Sequence, residues 1–185
     1  MKDIAYIDRA CDCCGGDDLH SVWQYEKISK TRNEQFRWKV NNVVCKQCGF
    51  AFVSPVPTQQ SLTEYYSDSF SIFTGQEVDY SIDNRLAIIQ ACQAISSAQS
   101  FLEVGSNNSP EFQRRLSELF SRIETVEIND DCNSTYKNLH SVPAQSQDIV
   151  ASYFALEHIP NPEVFLRQCA ALLKNDGCLI IEVPN

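Results

Sequence analysis

The sequence predicts an α/β protein in which a parallel sheet with helices on both faces follows a small cysteine-rich domain. Five of the nine cysteines lie within the first 48 residues, and strand-like and helix-like segments alternate after residue 99. Such alternation is typical of parallel sheets whose strands are connected by helices. We therefore expect three parts, which are a cysteine-rich domain over 1–57, a connecting and helical segment over 58–98, and an α/β core over 99–185.

The first two parts have few strong secondary-structure signals. "HSVWQYEKI" and "EQFRWKVNNVVC" are strand-like, and the two prolines of "SPVPTQQS" indicate a connection. Residues 61–81 have the composition of an irregular or short-helical segment. Residues 82–98 are predicted to form a helix, because Leu86, Ile89 and Ala94 recur at helical spacing after an Asp/Asn start.

The third part is predicted to alternate between strand and helix throughout. Apolar runs predict four strands, over 100–104, 123–128, 147–155 and 177–184. Amphipathic or polar stretches between them predict helices over 110–123, 130–139 and 162–174. The short stretch "LHSVPAQ" is a candidate for one further, weaker strand.

The composition is typical of a globular protein, and the net charge favours a small-molecule partner. Of the 185 residues, 43% are hydrophobic and 21% are charged, and the formal net charge is -9. A chain this acidic is poorly suited to hold a phosphate backbone or an anionic lipid surface. The sequence has no apolar run of roughly 20 residues and no signal-peptide core at its start, so we expect a cytoplasmic protein.

Two cysteine pairs have the spacing of a zinc site. Cys11 and Cys14 are followed by Gly15, and Cys45 and Cys48 are followed by Gly49. In a zinc knuckle, a tight turn directs both sulfurs at one ion, and the glycine allows the backbone to close that turn. We expect these four cysteines to bind one structural Zn²⁺, which would contribute folding free energy on the order of 10 kcal/mol and no chemistry.

Alternatives remain for the cysteines. The four could be unligated thiols, or a redox-active pair, although such a pair normally begins a helix in a βαβ unit. By this spacing Cys13 is not one of the four expected ligands. The four cysteines scattered through apolar surroundings are expected to be small buried hydrophobic residues; they are Cys92, Cys132, Cys169 and Cys178.

The stretch "SFLEVGSNNSPEF" predicts a strand, a tight turn and a helix. Small residues after Gly105 would let a ligand approach the backbone at the carboxyl end of the strand. Glu127 follows Gly105 by 22 positions, which matches the spacing of the acidic residue that binds the ribose in dinucleotide-type sites. The glycine by itself fits an ordinary strand-to-helix connection equally well, and Glu127 could be a solvated carboxylate at a strand end.

Two further stretches of the sequence resemble segments of a known family. "ASYFALEHIPNPEVFL" and "LLKNDGCLIIEVPN" resemble the region from the fourth to the fifth strand of class I S-adenosylmethionine-dependent methyltransferases, which have a Rossmann-like sheet. From about Cys11 to Asn185 the chain resembles one branch, the C-methyltransferases of nucleotide-linked deoxysugars. Members of that branch carry an N-terminal zinc-binding domain with two Cys-x-x-Cys pairs and a turn similar to "GSNDG", where this chain has Asn108 and Ser109 in the last two positions.

The resemblance implies a set of cofactor-binding residues. Glu127 would accept hydrogen bonds from both ribose hydroxyls of S-adenosylmethionine, and Ser152 and Tyr153 would pass beneath its methionine moiety. The methionine and ribose side of the cofactor would be lined by Glu103, Gly105, Ser106 and Asn107. The acidic residue on the adenine side that is common in the superfamily has no counterpart in "SVPAQSQ".

The resemblance also implies a catalytic pair. C-methylation requires a base that removes a proton from carbon, and a histidine is suited to this role near neutral pH. His158 would be that base, and Glu157 would orient it or hold the substrate. "LEHIP" also occurs in methyltransferases with other acceptors, where the histidine can be structural. His20 and His140 are expected at the surface.

The segment before the sheet contributes aromatic and hydroxyl contacts to the sugar nucleotide in this branch. Tyr65, Tyr66 and Tyr80 are the candidates here, and core packing of one and exposure of another are the alternatives for each.

The resemblance implies a sheet of seven strands, whereas the sequence contains five. We therefore expect a shortened chain or an interrupted gene product, or an apolar fifth strand covered by a partner or by self-association.

Together these observations predict an S-adenosylmethionine-dependent methyltransferase that acts on a small molecule, with a nucleotide-linked deoxysugar as the implied acceptor. A non-catalytic, zinc-stabilised scaffold or partner-binding protein is the alternative from another class. An rRNA methyltransferase is disfavoured by the negative charge.

Overall fold

The computed structural model describes residues 1–73, 82–106, 109–128 and 132–184, with the side chains of 67–73 and 94–96 left out. The chain divides into two compact units, Met1–Gly75 and Gln76–Asn185. The first unit is mostly antiparallel sheet with one helix. The second is a parallel sheet with helices on both faces, as the alternation of segments predicts.

A long antiparallel hairpin forms the centre of the first unit. Its strands β3 (Leu19–Lys30) and β4 (Gln35–Cys45) pair along nearly their whole length. On its other side, β4 pairs in parallel with β1 (Lys2–Asp3) and antiparallel with β5 (Ala51–Val53). The two strands predicted from "HSVWQYEKI" and "EQFRWKVNNVVC" are therefore confirmed.

The connection that follows the hairpin is more ordered than its composition suggests. Val56–Pro57 forms β6 and pairs antiparallel with β2 (Tyr6–Ile7). Helix α1 then spans Gln59–Phe73, so the described part of the segment over 61–81, expected to be irregular or short-helical, is a helix of 15 residues that is longer than expected. Tertiary packing explains the helix, since its Leu62 and Tyr65 cover apolar side chains of the sheet.

These contacts form the hydrophobic core of the first unit. Ile4, Phe36, Trp38 and Leu62 are buried together. Tyr65 meets the rings of Phe36 and Trp38 edge-on, with ring centroids 5.4 and 4.8 Å apart. Among the described side chains this cluster is small, and it depends on a helix outside the cysteine-rich segment.

The second unit contains a four-stranded parallel sheet. Its strands are β7 (Ser100–Val104), β8 (Arg122–Val126), β9 (Gln147–Tyr153) and β10 (Leu173–Glu182), in the spatial order β10-β9-β7-β8. All four predicted strands are therefore confirmed. Because the strands are parallel, their carboxyl ends meet at one edge of the sheet, and the strand order reverses between β7 and β9, where such sheets bind ligands.

Helices cover both faces of this sheet. Residues of α2 (Ile82–Ser96) and α3 (Pro110–Ser117) pack with Phe101, Ile149 and Tyr153 in one buried cluster. Residues of α4 (Pro162–Leu172) pack on the other face with Leu102 and Val150. Alternate residues of β7 and β9 thus enter opposite clusters, as the pleat of a strand requires.

Two predicted elements of this unit are wrong. Residues 132–139 do not form the helix expected over 130–139, because Thr125 and Thr135 exchange backbone-to-hydroxyl hydrogen bonds and Tyr136 forms a parallel bridge with Val126. "LHSVPAQ" is not a strand, since Leu139–Ser141 is a single 3-10 turn capped by Asn138. Helix α3 also ends earlier than predicted, at Ser117.

Asp148 links the start of β9 to the start of β7 through hydrogen bonds. It lies at the edge of the sheet opposite the carboxyl ends of the strands. Its Oδ2 accepts hydrogen bonds from the backbone N–H groups of Gln99 and Ser100 and from Ser100 Oγ, and Lys174 Nζ lies 2.8 Å from Oδ1. Burial acts to raise the pKa of this carboxyl, but the bonds from Lys174, Ser100 and Gln99 outweigh burial and lower the pKa to about 2.

We expect Asp148→Asn to destabilise the second unit by about 1–2 kcal/mol, after allowance for solvent screening. A carboxyl with a lowered pKa stabilises the fold above its unfolded pKa of 3.8, and this stabilisation is lost as the pH falls toward about 2. Urea unfolding across that range should therefore show less acid dependence for Asp148→Asn than for the parent protein. The exposed Asp176→Asn is the matched control, and equal acid dependence in all three proteins would contradict the assignment.

Candidate metal centre and candidate cofactor site

Two matching turns bring four cysteine sulfurs together in the first unit. In each turn the glycine has a positive φ, 75° at Gly15 and 79° at Gly49, and its N–H donates to the carbonyl of Cys11 or Cys45 at 2.8 Å. The Sγ atoms of Cys11, Cys14, Cys45 and Cys48 all lie within 4.8 Å of one another. The turn geometry predicted from the two glycines is confirmed, and Cys13 lies outside the cluster.

The sulfur positions fit a tetrahedral metal ion. The Sγ atoms of Cys11 and Cys48 are 3.6 Å apart, as are those of Cys14 and Cys45. A tetrahedral zinc ion with Zn–S bonds of about 2.3 Å requires sulfurs close to this separation. Backbone N–H groups of Cys48 and Gln47 are directed at Cys45 and lower the pKa of its thiol, whereas the neighbouring thiols outweigh a backbone bond from Gly16 and raise the pKa of Cys14, as expected when four thiols share protons at one site. The residues therefore fit a zinc ion.

The turn after β7 has the predicted strand-to-helix geometry. Gly105 has a φ of 76°, and a Cβ placed there would lie 2.9 Å from Cβ of Ala155. Both the conformation and the close approach therefore require glycine. Ser109, at a position where the resemblance leads one to expect glycine, is the N-cap of α3, and its Oγ accepts from the N–H of Phe112. Asn107, a predicted cofactor residue, lies outside the described residues.

Glu103 lies near the end of β7 with only 3% of its surface exposed. Its Oε2 accepts hydrogen bonds from Ser106 Oγ at 2.8 Å and from Gln113 Nε2 at 2.9 Å. Burial raises the pKa of this carboxyl, while the bonds from Ser106 and Gln113 and the charge of Arg85 oppose the rise. Glu103 and Ser106, both predicted cofactor residues, therefore contact each other and link the turn to α3.

Glu127 directly follows β8 and is half-buried. Its backbone N–H donates to the carbonyl of Tyr136, and its carbonyl accepts from Ser134 Oγ. Its negative charge is near enough to raise the pKa of Glu103. Since the N–H of Gly105 donates to the carbonyl of Val126, the strand end that carries Glu127 adjoins the glycine turn.

Ser152 and Tyr153 end β9 and point to opposite faces of the sheet. Both are buried, and neither Ser152 Oγ nor the Tyr153 hydroxyl has a hydrogen-bond partner among the described residues. The Tyr153 ring packs edge-on against Phe112, with centroids 5.7 Å apart. A buried hydroxyl without a hydrogen-bond partner costs folding free energy. Both hydroxyl oxygens at this strand end are therefore candidates to form a hydrogen bond with a bound ligand.

Glu157 and His158 lie on a 3-10 turn, Leu156–His158, that follows β9. The His158 side chain is 50% exposed, and its Nε2 lies 3.8 Å from Glu157 Oε1. The turn begins at Ala155, the residue that meets Gly105. The predicted catalytic pair is therefore adjacent to the glycine turn at the carboxyl edge of the sheet.

A further charged pair at this edge has no signal in the sequence. Arg85 of α2 donates through Nε and Nη2 to the two carboxylate oxygens of Glu182, at 2.8 Å each. The guanidinium also lies 4.2 Å from the ring centroid of Tyr153 and 5.4 Å from that of Phe154. The two partners are 97 positions apart, so only the fold brings them together.

The remaining predictions concern tyrosines, histidines and the scattered cysteines. Tyr65 and Tyr66 are half-buried and stack edge-on within the first unit, with centroids 5.1 Å apart, while Tyr80 lies outside the described residues. His20 and His140 are exposed, as expected. Cys132 and Cys169 are buried, as expected, whereas Cys92 and Cys178 are half-buried.

Among the described residues, no helix combines the length and apolar character that crossing a membrane requires.

Comparison with known proteins gives a family for the second unit. A family model described as "Methyltransferase domain" matches residues 77–185. No curated protein matches the chain. Among solved structures, the chain is similar to a protein of unknown function from the DUF364 family of Pyrococcus horikoshii, with 16% sequence identity, a TM-score of 0.38, and coverage of 90% of this chain and 72% of that chain.

Proposed function

Because the chain belongs to the methyltransferase-domain family, we propose that it transfers the methyl group of S-adenosylmethionine to a small-molecule acceptor. One observation carries the proposal. At the carboxyl edge of the parallel sheet, the Gly105 turn lies between the strand end that carries Glu127 and the turn that carries His158. This edge, at the reversal of strand order, is the ligand site of open α/β sheets.

In this proposal the carboxyl edge holds the cofactor. Glu127 accepts hydrogen bonds from the ribose hydroxyls, and the glycine turn allows the ligand to approach the backbone of residues 105 and 106. The unpartnered hydroxyls of Ser152 and Tyr153 support a polar ligand near the end of β9. When bound, S-adenosylmethionine supplies an electrophilic methyl group on a sulfonium.

Glu103 has a supporting role in this proposal. Its carboxylate is buried and bonded to Ser106 and Gln113. It therefore fixes the glycine turn against α3 and adds negative potential beside a positively charged sulfonium. Asn107, two positions after Gly105 in the sequence, remains a proposed cofactor contact.

His158 is the proposed base. It is half exposed at the edge where an acceptor enters, and its partner Glu157 lies 3.8 Å away, which favours the protonated imidazole after proton removal. The acidic surface implied by a net charge of -9 supports a small acceptor over RNA. A nucleotide-linked deoxysugar is the first acceptor to test, because a four-cysteine cluster precedes the methyltransferase domain as in the C-methylating branch that the sequence resembles.

Calorimetric titration with S-adenosylhomocysteine tests the cofactor proposal directly. We expect a dissociation constant in the micromolar range, typical of small ligands in preformed clefts. If the folded, metal-loaded protein releases no heat and gains no thermal stability with this ligand, the chain is a scaffold or partner-binding protein instead.

We expect His158→Gln to reduce methyl transfer by about 10²–10⁴-fold, the usual contribution of a general base. Transfer from labelled S-adenosylmethionine to a panel of nucleotide sugars measures the effect, and the pH profile of kcat should lose its acidic limb. His140→Gln is the matched control, since this histidine is exposed and contacts only Gln168 among the bonds described. Full transfer by His158→Gln would exclude the base role and leave cofactor binding to be judged separately.

A further inference from the structure

Two thiols meet where α2 packs on β10. The Sγ atoms of Cys92 and Cys178 are 2.8 Å apart, whereas neighbouring sulfurs of the four-cysteine cluster are 3.6 Å apart. A disulfide has an S–S distance of about 2.05 Å. The two sulfurs therefore need to approach by less than 1 Å to form a bond.

A second contact holds the same two elements in register. Arg85 lies seven positions before Cys92, which is two helical turns and thus the same face of α2. Glu182 lies four positions after Cys178, on the same face of β10. The bidentate Arg85–Glu182 pair therefore keeps α2 antiparallel to β10 and holds the two thiols in contact.

Accessibility separates this pair from the other cysteines of the second unit. Cys169 is fully buried and Cys132 is 6% exposed, whereas Cys92 and Cys178 are both half-buried. A small reagent therefore reaches this pair more easily than the other two. Apolar residues of the same cluster, among them Ile180, pack around the two thiols and restrict the entry of water between the two sulfurs.

We propose that Cys92 and Cys178 form a redox modification site, at which a low-molecular-weight disulfide such as glutathione disulfide converts the two thiols into one disulfide bond. One cysteine thiolate attacks glutathione disulfide, which forms a mixed disulfide and releases one glutathione. The other cysteine then attacks the mixed disulfide and releases the second glutathione. Two protein thiols are oxidised and one glutathione disulfide is reduced, so the step needs no other oxidant.

The bond would join two distant parts of the second unit. Cys92 and Cys178 are 86 positions apart, and the segment between them contains β7, β8, β9, α3 and α4. A crosslink that closes so long a loop restricts the unfolded chain strongly. The inference does not depend on the proposed function, because it concerns the packing of α2 on the sheet.

Burial raises the pKa of the Cys178 thiol to about 11. This thiol is therefore protonated at neutral pH, and exchange should take hours near pH 7 and proceed faster near pH 8.5. The test is best run at the higher pH.

The experiment uses the full, zinc-loaded chain with Cys13→Ser to remove the spare thiol of the first unit. After incubation with glutathione disulfide and alkylation of the remaining thiols, trypsin releases Cys92 in residues 86–114, Cys178 in residues 175–185 and Cys169 in residues 168–174. We expect mass spectrometry to show peptides 86–114 and 175–185 joined, with the loss of two hydrogens, and peptide 168–174 alkylated.

A second readout is thermal stability. The oxidised protein should melt about 5 °C or more above the reduced protein, and dithiothreitol should reverse the shift. Cys92→Ser and Cys178→Ser should each abolish both the joined peptide and the shift. Alkylation of both cysteines, or stable glutathione adducts without the joined peptide, would overturn the proposal.

Discussion

We expect the four-cysteine cluster to hold one zinc ion, whose removal should unfold the first unit while the parallel sheet of the second remains folded. Among the described side chains of the first unit, the main buried hydrophobic cluster contains Ile4, Phe36, Trp38 and Leu62. Zinc bound by four thiolates contributes on the order of 10 kcal/mol, which exceeds what so small a core supplies. A tight zinc chelator should therefore have a large structural effect on the first unit.

The chain offers a specific reporter for this effect. Both of its tryptophans, Trp23 and Trp38, belong to the first unit, and Trp38 is buried while Trp23 is exposed. The fluorescence maximum should shift to longer wavelength on chelation, as Trp38 becomes exposed. Far-ultraviolet circular dichroism should retain the helical signal of the second unit.

Substitution of one ligand should reproduce the effect of the chelator. Cys45→Ser removes a fully buried sulfur, so we expect metal analysis to fall from one zinc per chain to none and the fluorescence to match that of the chelated protein. Cys13→Ser is the matched control, because this cysteine lies in the same turn but outside the cluster. If Cys45→Ser kept one zinc per chain and the fluorescence of the parent protein, the four-thiolate site would be wrong.

The second large effect should come from Glu127→Ala, which we expect to weaken binding of S-adenosylhomocysteine by about 100-fold. Hydrogen bonds to a charged group contribute about 1.5–3 kcal/mol each, and loss of both ribose bonds costs roughly this factor or more. Calorimetric titration measures the change. Glu127→Gln, which keeps one acceptor oxygen, should weaken binding less than the alanine variant.

The control is an exposed glutamate of the same unit that has no proposed role in the site. Glu163 is exposed at the start of α4 and pairs only with Arg167 among the contacts described, so Glu163→Ala should bind with the affinity of the parent protein. Unchanged melting temperatures would confirm that both variants are folded. Equal affinity in Glu127→Ala and Glu163→Ala would remove the ribose role from Glu127 and leave the family membership intact.

The cysteine turns show which features a local pattern determines. Gly15 and Gly49 each follow a Cys-x-x-Cys pair, and each adopts the positive φ that closes a knuckle. The same holds at Gly105, where a strand ends and a turn begins. In all three places a few consecutive residues set the backbone conformation, since only glycine adopts a positive φ without strain.

The wrong predictions show where local patterns fail. The polar stretch around Thr135 consists mostly of weak helix formers, and the structure uses the Thr135 hydroxyl to bond the backbone of β8. The full length of helix α1 was not expected, because its apolar residues find partners only once the sheet of the first unit has formed. In both cases long-range contacts outweigh a weak local preference.

The sequence alone predicts the four parallel strands of the second unit, the cluster of four cysteine sulfurs, and the carboxyl edge that carries Gly105, Glu127 and His158. Each of these features depends on residues close together in the chain or on the shared direction of parallel strands. Only the tertiary structure pairs Arg85 with Glu182 and Cys92 with Cys178. These partners are separated by 97 and 86 positions, and only the packing of α2 against β10 brings them into contact.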